Sequence, residues 1–139
     1  MALRRCLLEL GSGVDLHGRD STKAARRAVS DALRHSSVAF PRVFGYGPEM
    51  MAVEVNIAVP YHDTVNSDEV LLEVPYGHKS INVVEGGMEV PGGEQSNDST
   101  IMANAAIMSA WKFQTRRANG ETSPPDLGGQ HYSLPVFTV

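Results

Sequence analysis

"DSTIMANAAIMSAWKFQTRR", residues 98–117, is the stretch whose reading decides the fold. Asp98 or Ser99 suits a helix N-cap. Ile101, Ala105, Met108 and Trp111 recur at helical spacing, and Arg116 and Arg117 suit a C-terminal dipole. The spacing therefore predicts a long helix. Working outward, residues 22–35 form a second long helix, with Ser21 as its N-cap. Its Ala25, Ala28, Val29, Ala32 and Leu33 make a face of small residues that can lie close to a sheet. Residues 2–10 read as a buried strand. "MAVEVNIAVP", 51–60, puts Val53, Val55, Ile57 and Val59 on one side of a strand that Pro60 closes. Ser67 as N-cap, with Asp68 and Glu69 in the first turn, begins a short helix that Pro75 and Gly77 stop. "HKSINVVEGG", 78–87, returns to strand, Gly86-Gly87 turns, and Met88 to Val90 add a short strand.

This order predicts an α+β fold, a two-layer sandwich with two long helices on one face of a small mixed sheet. Residues 1–117 make one domain, and 118–139, rich in turn formers, an extended or flexible tail. The sheet's other face calls for cover, and a second copy of the chain supplies it, so a homo-oligomer is expected.

The chain has 139 residues, 42% hydrophobic and 20% charged, which suits one soluble domain. Net charge is −4, and no basic tract is long enough to follow a nucleic acid. No apolar run spans a membrane, and the N-terminal run is too short for a signal peptide, so a cytoplasmic protein is expected. The single Cys6 excludes an internal disulfide and reads as a buried, inert thiol.

The candidate site is "GSGVDLHG", 11–18, with glycines between the first strand and the first helix. Gly11, Ser12, Gly13, Gly18 and Ser21 are the candidate ligand-binding positions. Their amides and the helix start would hold a small anionic molecule. Neither a phosphate-binding Gly-Lys-Ser/Thr ending nor a dinucleotide fingerprint is present. Asp15 and His17, two apart, share a face if extended, and an Asp can orient an imidazole for proton transfer. The same residues also suit a purely local role, Asp15 capping amides and His17 bonding a carbonyl. Glu85, before Gly86-Gly87, is a candidate second carboxylate. His62 and His78 would add metal ligands only if strand ends bring them to His17; no stretch has tight metal spacing, so no metal is assigned and the cofactor is left undefined.

"GSGVDLHG" fits a G-x-G-x-D-x-H-G signature. With "AVP" at 58–60 and "VPYGHKSINVVEGGM" at 74–88, it resembles an uncharacterised conserved-hypothetical family of bacteria and plants. The resemblance covers roughly residues 3–117. It marks Gly11, Gly13, Asp15, His17 and Gly18 as signature positions and implies no activity. The leading function is a small-molecule enzyme with His17/Asp15 acid–base chemistry. The alternative is a non-catalytic ligand-binding or oligomeric structural module.

Overall fold

The computed structural model describes residues 2–113. Strand β1 (Ala2–Asp15) leads through a short loop to helix α1 (Ser21–Arg34). A connection with the four-residue helix α2 (Phe40–Val43) precedes strand β2 (Met51–Ala58). Helix α3 (Ser67–Leu71), strands β3 (His78–Val84) and β4 (Met88–Pro91), and strand β5 (Ser99–Phe113) complete the chain. The fold is α+β, built on a five-stranded mixed sheet ordered β1-β5-β2-β3, with β4 also paired to β5. β2 and β3 run parallel, and the remaining pairs are antiparallel.

The expected second long helix is strand β5, so among the described residues α1 is the one long helix. The run offers apolar residues in both phases, which is why its period misleads. Ser99, Ile101, Ala103, Ala105, Ile107, Ser109 and Trp111 are buried on the α1 side. Met102, Ala106, Met108 and Ala110 lie on the other face and fill the gaps that would have revealed a period of two. Alanine favours helix only weakly, by tenths of a kcal/mol per residue. Two full ladders, to β1 from Ala2↔Phe113 to Asp15↔Ile101 and to β2 from Met51↔Trp111 to Ala58↔Asn104, override that preference. The Arg116 and Arg117 part of the helix reading, and the 118–139 tail, lie outside the described residues.

The first glycines are also inside a strand, because β1 runs on to Asp15. Gly11 and Gly13 face α1. A Cβ on Gly11 would lie 2.6 Å from the Ala28 carbonyl oxygen and 2.8 Å from Ala32 Cα. On Gly13 it would lie 2.7 Å from the Arg27 carbonyl carbon. The helix answers with Ala24, Ala28 and Ala32, all buried and spaced four apart, so an alanine ridge sits in a glycine groove. Val53, Val55, Ile57, Ile101 and Ile107 supply the larger part of the core below.

Local capping differs from expectation by one residue in each helix. Asp20, not Ser21, caps α1, accepting from the Lys23 amide at 3.0 Å. Asn66, not Ser67, caps α3. Ser21 is buried instead, and its hydroxyl donates to the Pro60 carbonyl at 2.6 Å, tying the start of α1 to the end of β2. Cys6 is exposed rather than buried, because the register shift between Arg5 and Leu7 takes it out of the ladder. None of the helices is long and apolar enough to cross a membrane among the described residues.

Candidate functional site

The carboxyl ends of β1, β2 and β3, the start of α1 and the start of β5 meet at one end of the sheet. This is the end where ligands collect in open sheets. Asp15, His17, Gly18, Ser21, His62 and Glu85 all lie here. His78 does not: it opens β3 at the opposite end, within 3.1 Å of the Glu49 carbonyl oxygen.

Asp15 and His17 are at the same end but do not pair. Asp15 is fully buried. Its Oδ2 accepts from the Asp20 amide at 2.9 Å, and the Lys23 ammonium lies 2.8 Å from Oδ1. Burial pushes this carboxyl up. The Lys23 hydrogen bond, the Asp20 amide and the charges of Lys23 and Arg27 outweigh it and hold the group below its ordinary value. Asp15 therefore fastens the β1–α1 junction.

His17 is outside, with 88% of its side chain exposed, and its Nδ1 lies 3.3 Å from Asp98 Oδ2. Asp98 is the residue that sequence reasoning misplaced, as a helix cap. It accepts from the Gly18 amide at 3.1 Å and from the Ser99 amide at 2.9 Å. Those two amides and His17 keep its carboxyl ionised below the usual range. Gly18, at φ +96°, is what turns its N–H toward Asp98.

A second imidazole–carboxylate pair stands nearby on the loops after β2 and β3. His62 Nδ1 is 2.8 Å from Glu85 Oε2, and this contact lowers the Glu85 carboxyl. Tyr61, in the left-handed region at φ +55°, donates its hydroxyl to Glu89 at 2.9 Å. Glu89 also accepts from the Ser99 hydroxyl, and the hydrogen bond it takes from Tyr61 raises that phenol. The Arg19 guanidinium donates to the Asn97 carbonyl.

Of the amides expected to cradle an anion, those of Ser12 and Gly18 are held by carboxylates of the chain itself, as are the neighbouring Asp20 and Lys23 amides. Ser12 N–H goes to Asp31 at 2.9 Å, Gly18 to Asp98, Asp20 to Asp15, and Lys23 to Asp20. Gly11 and Gly13 are occupied by the contact with α1. Among the described residues no group of three or more His, Cys, Asp or Glu side chains is placed to hold a metal.

The chain matches the model of a conserved hypothetical family, Lin0512, over residues 5–109. It belongs to that family. The Lin0512 chain is also similar to a crystal structure described as an FtsZ-like protein of unknown function from Nostoc punctiforme PCC 73102. Identity is 38%, the match covers 81% of this chain and 99% of that one, and the TM-score is 0.73. No curated protein matches the Lin0512 chain.

Proposed function

We propose that the chain carries out acid–base chemistry on a small molecule at the polar end of the sheet. His17 moves the proton, and Asp98, rather than Asp15, orients the ring. The observation that carries this reading is the 3.3 Å contact of an otherwise exposed imidazole with a carboxylate that two backbone amides already fix. A carboxylate so held sets the imidazole's orientation for proton transfer. His62 and Glu85 form a second such pair, which suits isomerisation, elimination or hydrolysis. The Ser12, Gly18, Asp20 and Lys23 amides already hold carboxylates, so an anionic substrate would draw on side chains such as Arg19. Asp15 acts on the loop's shape alone.

The test starts with a thermal-shift screen of small metabolites against the full chain, then measures turnover of each hit. His17→Ala should cut turnover by roughly 10²–10⁴-fold. Its melting temperature should stay within a degree or so of wild type, because an exposed side chain is removed. Asp98→Asn should reduce kcat and shift the pH profile. Unchanged turnover in His17→Ala would overturn the reading.

The sheet's open face favours a second reading, a self-associating module. Leu8, Leu10, Val84, Met88 and Val90 are each more than half exposed there. Such a row is costly to leave in water and suits an isologous contact with another copy. Light scattering should then report an oligomer in wild type and a smaller species in Leu8→Glu/Leu10→Glu. A monomer in both would remove this reading.

A further inference from the structure

A cavity of about 290 Å³ opens on the α1 side of the sheet, toward the end opposite His17. Its walls are largely apolar and aromatic: Leu7, Leu33, Tyr46, Met51 and Trp111 are among them. The loop that carries α2 covers it, and Tyr46 is braced there by an edge-on contact with Phe113, ring centroids 5.3 Å apart. The volume is near the lower end of the range of small-molecule pockets, ~300–1,000 Å³.

One wall residue does not suit an apolar hole. Glu9 is 9% exposed, pointing inward from β1 between Leu7 and Gly11. Among the described residues its hydrogen-bond partner is the Ser36 hydroxyl on Oε1, and it forms no ion pair. Setting a carboxylate in a largely apolar wall with one neutral protein donor costs part of its hydration, and a positive charge that joins it offsets that cost. Arg42 also lines the cavity without pairing to Glu9. A leucine at position 9 would fill the wall without that cost, so the charge implies a use for it.

We propose that this cavity binds a small, single-ring apolar amine, whose ammonium pairs with Glu9 while its ring packs on Trp111 and Tyr46. The aromatic walls also favour a cation at their faces. The site is separate from the polar end and does not depend on the acid–base reading.

Trp111 is the chain's one tryptophan, so its fluorescence reports the cavity directly. Three probes of similar size separate the chemistry: phenethylamine, 2-phenylethanol and phenylacetate. Titrated into the full chain, phenethylamine should shift Trp111 emission saturably, and 2-phenylethanol should bind roughly tenfold or more weakly. Glu9→Gln, which keeps the shape and removes the charge, should erase that preference. Equal binding of amine and alcohol by wild type would overturn the proposal. So would tighter binding of phenylacetate, which would assign the site to Arg42, or no saturable response to any probe. The wild-type comparison decides the matter even if Glu9→Gln fails to fold.

Discussion

Gly13→Val should lower stability by about 3 kcal/mol, or prevent folding altogether. The cost arises from backbone rather than from side chains. Valine's Cβ would meet the Arg27 carbonyl carbon at 2.7 Å, with the neighbouring Ala24 and Ala28 main-chain atoms closer still. No rotamer relieves a clash at Cβ, so α1 must lift off the sheet, and its contacts through Ala24, Ala28 and Val29 loosen with it. Ser12→Val is the control. Its side chain is exposed on the other face, and β-branching suits a strand, so its stability should stay within roughly 0.5 kcal/mol of wild type. Urea denaturation of the three proteins measures both. A Gly13→Val variant as stable as wild type would show that helix and sheet are not in close contact there.

The second large effect is at Asp15 and depends on pH. The ionised carboxylate holds the Asp20 amide and the Lys23 ammonium in a buried position. Asp15→Asn loses the charge and should cost about 2 kcal/mol at neutral pH. The carboxyl is lowered from 3.8 in the folded chain. Its unfolded form therefore takes up a proton first as pH falls. The stabilisation is present in full above that ordinary value and is lost as pH drops through the lower, folded value. Wild type and Asp15→Asn should consequently converge in acid, as followed by denaturation at a series of pH values. A gap that persists unchanged in strong acid would assign the effect to shape rather than charge.

Much of this architecture is legible in the residues. The valines of β2 alternate cleanly because only one of its faces is strongly apolar. Helix α1 shows its period because its outer face is charged. β5 hides its period because both of its faces are apolar, and the sequence alone does not reveal that strands flank it on both sides. The glycines at 11 and 13 are legible as special positions but not as to kind. Close approach of a helix and close approach of a ligand demand the same missing side chain, and the deciding alanines lie at least eleven residues further on, at Ala24, Ala28 and Ala32. His17 is legible as a candidate from its setting, but its partner Asp98 stands 81 residues away in a loop without pattern. Glu9 is not legible as a cavity residue, because one acid in an apolar strand looks like an outward-facing residue.

The pairing of β1 with β5 has a consequence for synthesis. Among the described residues the first strand zips against the last, Ala2 opposite Phe113, so β1 leaves the ribosome long before its partner. Contacts this distant in sequence close slowly, since loop entropy is lost before any ladder bond forms. Until β5 emerges, β1 waits with an unsatisfied edge and a leucine-rich side, the kind of segment that chaperones shield and that aggregates when they are scarce.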